Sequence, residues 1–231
     1  DTARSRGLGD VYKRQERWRF KFSSLGEFKK IFNASSFKGC PHLLNTKNTR
    51  LAMTISGEVV EENATVVWLQ VDQWFADIRT FPRSSGKQNY AFAGKVNWDS
   101  PRLSFYHQLN TMGVDENDSA DFEFNDSFCI ERGHLFVGGI KRAFEETWSI
   151  EKSSVPCKAS LRYDSSKLRS IRVDHEKESI VVEKDCAVHV SMTSDSPVLI
   201  SRVGQTDRVH SLLESLSKPC WDIVEEVDTN Y

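Results

Sequence analysis

Two opposite charges, Asp77 and Arg79, sit two residues apart inside the aromatic run 74–81 (WFADIRTF). In an extended chain, residues i and i+2 share a face, so Phe75, Asp77 and Arg79 point one way and Ala76, Ile78 and Thr80 the other. The same parity groups Gln70 with Trp68, His107 with Phe105, and Glu146 with Phe144 and Trp148. Facing inward in a closed sheet, these side chains would make an aromatic chamber holding one guanidinium, two carboxylates, an imidazole and an amide. Arg79 could grip a carboxylate or phosphate with its planar fork while Asp77 orients it. The same set could equally be a structural Asp77–Arg79–Glu146 network, because a buried Arg is paired whether or not a ligand binds. The candidate ligand-contacting residues are therefore Trp68, Gln70, Phe75, Asp77, Arg79, Trp98, His107, Glu146 and Trp148.

Other chemistry finds little footing. The adjacent Glu145 and Glu146 face opposite sides of a strand and cannot cooperate as an acid–base pair. Cys40 and Cys129 have no partner base nearby in sequence, and no GxSxG occurs, so no catalytic residue is expected. The six histidines show no HxH, HxxxH or HExxH spacing, so no metal site and no cofactor is expected. A lone axial histidine for haem leaves His107 and His189 as candidates. Residues 115–126 place Asp115, Asn117, Ser119, Asp121, Glu123 and Asp126 at calcium-loop positions. Ala120, however, stands where that loop needs Gly, Asp126 replaces the bidentate Glu, and the flanks read as strands. An acidic hairpin loop fits better. With no Lys or Arg between Leu103 and Glu131, that side should be an acidic surface.

Positioning these residues requires β-structure. The chain has 231 residues, 39% hydrophobic and 28% charged, which suits one large folded β domain rather than a disordered chain. Strand patterns recur with turn signals about every ten residues. They cover 50–56, 64–71, 74–81, 90–98, 102–109, 120–125, 127–132, 134–139 and 142–150, as in a meander that closes on itself. Shorter strands follow at 159–163, 168–174, 179–183, 187–192 and 198–203. One helix is expected at 206–217, where Val209, Leu212, Leu213 and Leu216 share a face and Lys218-Pro219 ends it. Residues 220–227 read as a closing strand.

A formal net charge of −2 gives no reason to expect nucleic acid, and no run is long and apolar enough for a membrane span. Five widely spaced cysteines without CxxC point to free thiols in a reducing, cytoplasmic setting. Sequons at Asn33, Asn63, Asn117 and Asn125 would matter only in a secretory pathway.

Residues 5–15 (SRGLGDVYKRQ) resemble a translated sequencing-library adapter, which marks 1–15 as an artefact and the chain as an assembled environmental sequence. Residues 16–40 form a basic, aromatic, poorly ordered extension with a short helix at 25–32, and 41–228 form the domain.

The words WLQ (68–70), FADIR (75–79), AFAG (91–94), IERG (130–133) and FEETW (144–148) follow one another at spacings that resemble a lipocalin-like family. That family is known from bacterial uncharacterised proteins and a fungal casein-kinase-interacting protein. PHLL (41–44) resembles the segment before the family's first strand. Phe144 stands where the family usually carries Tyr. The resemblance implies an all-β, antiparallel calycin-like barrel with a second barrel-like half, and no enzymatic activity. The expected function is to bind a small apolar or amphipathic ligand, anionic if Arg79 is its anchor. The alternatives are an interaction scaffold that meets a protein partner through residues 115–126, and a haem-binding barrel.

Overall fold

Residues 65–71 alternate Val66, Trp68 and Gln70 with Val67, Leu69 and Val71, so a strand there has no polar face to give to water. Such a strand is stable only when both faces are covered. The computed structural model, which describes residues 37–60, 63–113, 117–192, 197–218 and 221–227, places it in the wall between two layers. The adapter-like stretch, most of the basic extension and the helix expected at 25–32 lie outside the described residues.

The first layer is an antiparallel sheet in which β1 (Thr46–Ile55) pairs with both β3 (Thr65–Val71) and β9 (Ile140–Lys152). Between them run β4 (Trp74–Thr80), β5 (Tyr90–Asp99), β6 (Arg102–Asn110), β7 (Asp118–Phe124) and β8 (Phe128–Val137), each bonded to the next. The result is a closed eight-stranded barrel. The two-residue strand β2 (Glu58–Val59) hangs from the end of β1. Closure leaves the long strands of this sheet without open edges. The strands expected at 127–132 and 134–139 are one continuous strand, because Gly133 bends nothing here. Its missing side chain makes room for the Phe144 ring, which a Cβ would meet at 2.6 Å.

The second half forms an open six-stranded sheet. Its strands are β10 (Cys157–Asp164), β11 (Lys167–His175), β12 (Glu178–Glu183), β13 (Ala187–Met192), β14 (Pro197–Val203) and β15 (Asp222–Val227). Their order in space is β14-β13-β12-β11-β10-β15. The strand expected at 220–227 is thus β15, antiparallel to β10. This sheet lies on the outside of the barrel. Val67, Leu69, Val71, Trp74, Ala76 and Ile78 from the barrel wall pack on Ala159, Leu161, Ile171, Val173, Ile180 and Val182. Its far face is covered by helix α1 (Thr206–Ser215) through Val209, Leu212 and Leu216. An ion pair, Lys47 Nζ to Glu178 Oε1 at 2.6 Å, crosses between barrel and sheet.

Inside the barrel, one end is filled. A 3-10 turn at Pro41–Leu43 places Leu43 in the core, and His42 stacks on Phe124 at 4.5 Å. Above it, Trp68 meets Phe105 at 5.2 Å, Trp148 at 5.7 Å and Phe122 at 6.3 Å, mostly edge-on, the arrangement aromatic quadrupoles prefer. The four cysteines described are free and buried, and burial pushes the Cys40 thiol up to about 11, so it is unreactive packing. No helix among the described residues is long and apolar enough to cross a membrane.

Candidate functional site

Cross-strand register turns the parity pattern into a ring. Asp77 lies opposite Trp68 and Phe92, Phe92 beside Tyr90 follows on β5, and Gly94 lies opposite both Phe75 and His107. Asp118 lies opposite Phe105, Glu131 opposite Phe122 and Glu146, and Trp148 opposite Arg50. The interior therefore has two levels. The lower one is aromatic: Trp68, Phe75, Phe105, Phe122 and Trp148. The upper one is charged and draws on every strand from β4 round to β1.

In that upper level Arg79 donates from Nε to Asp77 Oδ1 at 3.1 Å and lies over the Tyr90 and Phe92 rings, 5.6 and 5.1 Å from their centroids. Burial opposes its charge, but Asp77, Tyr90 and Glu146 outweigh burial and hold it firmly protonated. Glu146, expected to complete the Asp77–Arg79 network, takes its hydrogen bond from elsewhere: Arg50 Nη1 donates to Glu146 Oε1 at 2.7 Å. Both side chains of that pair are only 5% exposed. Each arginine thus has its own carboxylate.

Two further carboxylates have no such partner. Glu131 accepts the Trp148 indole N–H at 3.0 Å and sits directly across from Glu146. Burial, then the like charges of Glu146 and Asp118, push its pKa well above the usual carboxylate range. Asp118 stands at the start of β7. Water reaches 62% of its side chain, yet the surrounding barrel wall desolvates it and raises its pKa to about 6. Among the described residues neither acid has an ion pair with Lys or Arg. Asp77, desolvated more than Arg79 and Arg50 can offset, also titrates at about 6.

His107 completes the level. Its side chain is 5% exposed and stacks on Phe92 at 4.3 Å. Neither ring nitrogen has a hydrogen-bond partner, and Nε2 stops 3.9 Å short of Asp118 Oδ1. Burial first, then the Arg79 charge, lowers its pKa to about 3, so the ring is neutral. It offers one donor and one acceptor, both unused. The Trp68 indole N–H, also buried, is unpartnered as well.

The nine residues singled out by sequence therefore divide. Asp77, Arg79, His107 and Glu146 meet in the upper level. Trp68, Phe75 and Trp148 form its floor, almost fully buried. Gln70 and Trp98 belong to the filled end, where Gln70 Nε2 donates to the Asp72 carbonyl at 2.9 Å and Trp98 packs on Phe124 at 5.7 Å. Sequence reasoning missed Arg50, Asp118 and Glu131. Parity alone would have found Glu131, two residues from the buried Cys129. Arg50 was hidden in a basic stretch, and Asp118 in an apparent acidic loop.

That loop is mostly strand. Residues 118–124 form β7, with Ala120 and Phe122 inward and Ser119, Asp121 and Glu123 outward, so they cannot wrap an ion; 114–116 lie outside the described residues. Nor is the surface simply acidic. Asp121 is paired with Arg102 at 2.9 Å and Glu123 with Arg132 at 2.7 Å, counter-charges drawn from just beyond the uncharged-by-base stretch. On the second sheet, His189 is held by Glu178 at 2.8 Å. Glu183, Asp185 and Cys186 bring ligand atoms within 4.8 Å of one another, but Arg162 and Arg208 already engage Glu183.

No family model and no curated protein matches the chain. Its fold is similar to that of an uncharacterised protein, YLR301w, from Saccharomyces cerevisiae. The TM-score is 0.61 over 79% of this chain and 98% of that one, at 13% identity. That likeness is one of fold.

Proposed function

We propose that the chain is a non-enzymatic, lipocalin-like barrel that binds one small amphipathic ligand in the upper level of its interior. The ligand's polar head meets the charged ring, and its apolar body lies toward Phe92, Tyr90 and Phe144 at the open end. The reading rests on His107. Buried polar groups in native proteins are almost always hydrogen-bonded, and each exception asks for an explanation such as a missing water or ligand. An imidazole with two unpartnered nitrogens, beside a water-accessible carboxylate, supports a guest that bridges them. The filled aromatic floor limits that guest to a small one.

The test is native mass spectrometry of the full chain, followed by a thermal-shift screen against small amphiphiles and haem. A co-purifying small molecule, or a screened one that raises Tm, is the expected result. Replacing His107 by Phe (His107→Phe) should weaken its binding about tenfold, the loss of roughly 1.4 kcal/mol. A chain that carries nothing and responds to nothing, or a variant that binds as well as the parent, overturns the reading. A Soret band on haem addition would instead favour the haem alternative, with His107 as its axial ligand.

A further inference from the structure

Charge in the upper level does not balance. Going round the ring, the groups that face the chamber are Arg50 on β1, Asp77 and Arg79 on β4, and Tyr90 on β5. They continue with His107 on β6, Asp118 on β7, Glu131 on β8 and Glu146 on β9. Four are carboxyl groups and two are guanidinium groups, and each guanidinium is already held by one carboxylate. Asp118 and Glu131 are left over, and His107, with no hydrogen bond at either ring nitrogen, brings Nε2 to 3.9 Å from Asp118 Oδ1. An anionic head would find only the N–H groups that Asp77 and Tyr90 leave on Arg79, and would then face two further acids. A cationic head meets carboxylate oxygens and an imidazole acceptor with no group to displace.

We propose that the ligand's head is a protonated amine, held by Asp118 and Glu131 and donating a further hydrogen bond to His107. This deepens the reading of the barrel as a small-ligand binder and rests on it. Without the guest, burial and the charge of Glu146 raise the proton affinity of both acids, and Asp118 adds to that of Glu131. On binding, the ammonium keeps all its N–H bonds, the carboxyl O–H of Asp118 or Glu131 breaks, and that proton leaves to bulk water. Amine binding is therefore proton-linked. As pH falls through about 6, where Asp118 takes up its proton, affinity falls with it.

Three probes of equal length separate this from the broader reading: hexylammonium, 1-hexanol and hexanoate, titrated calorimetrically into the full chain. Hexylammonium is expected to bind about tenfold tighter than hexanol, with hexanoate weakest, and to release a proton detectable as a buffer-dependent heat. Its affinity should drop several-fold between pH 7.5 and pH 5 while that of hexanol stays level. Asp118→Asn, at a water-accessible side chain, and Glu131→Gln, whose amide oxygen still accepts from Trp148, should each erase the amine preference, so that hexylammonium binds a variant no tighter than hexanol binds the same variant. Amine and alcohol binding equally, hexanoate binding best, or a preference that survives both variants overturns the cationic head but leaves a binding barrel. Binding by none of the three overturns both readings.

Discussion

Gly94 and Gly133 both face the barrel interior, but what lies against them differs in kind. A Cβ on Gly94 would fall 1.9 Å from the Tyr106 carbonyl oxygen and 2.9 Å from the Gln108 amide nitrogen, the backbone on either side of His107. A Cβ on Gly133 would meet the Phe144 ring, the far end of a side chain that can turn. Overpacking a core costs about 1–3 kcal/mol when neighbours can shift, and more when they cannot. Gly133→Ala should fall in that range, whereas Gly94→Ala should exceed it and displace His107. Urea unfolding checks the order, and equal losses would refute it. The family-like words AFAG and IERG thus carry a physical requirement: each ends in the one residue that lets a neighbour close on the chamber.

At the scale of elements, β3 is the strand on which both layers depend. Trp68 faces the barrel interior and Leu69, fully buried, faces the second sheet. Leu69→Ala leaves a cavity in the contact between the layers and should cost about 2–5 kcal/mol. Because that contact joins the barrel to the sheet, both should unfold together. The expected result is a lower urea midpoint with one transition and an unchanged slope. Two separated transitions would mean that the layers fold independently.

For the whole molecule, opposed pKa shifts set a stability optimum. Asp77 and Asp118 titrate at about 6 in the fold, above the ordinary 3.8, so the native state holds more protons than the unfolded chain between those values. Their contribution declines as pH rises from about 4 to about 6, and His107, lowered from 6.5 to about 3, opposes that decline with one group against two. Glu178, hydrogen-bonded by His189 and Lys47, is lowered from 4.5 to about 2, so its stabilisation is present above 4.5 and lost as pH falls toward 2. Tm should therefore peak between about pH 4 and 5 and fall on both sides. Asp118→Asn should flatten the neutral side and raise Tm at pH 7 by on the order of 2 °C, a small effect because water reaches the side chain. A Tm that climbs steadily to pH 7 would contradict this.

What the chain by itself determined was periodicity. Alternation is local, so the strands, the helix at Thr206–Ser215 and the shared face of Phe75, Asp77 and Arg79 were legible from residue order alone. The turn-rich meander implied closure, and closure made the barrel. Partner choice was not legible. That Glu146 takes Arg50 rather than Arg79 depends on β9 closing against β1, residues 96 apart. That Asp118 shares the inward parity of Ala120 and Phe122 instead of decorating a loop depends on where β7 begins. Register decides such contacts through hydrogen bonds made between distant segments, and no local pattern encodes them. The tertiary structure alone therefore set the charge balance of the barrel interior: two arginines each held by a carboxylate, and two carboxyl groups with no Lys or Arg partner among the described residues.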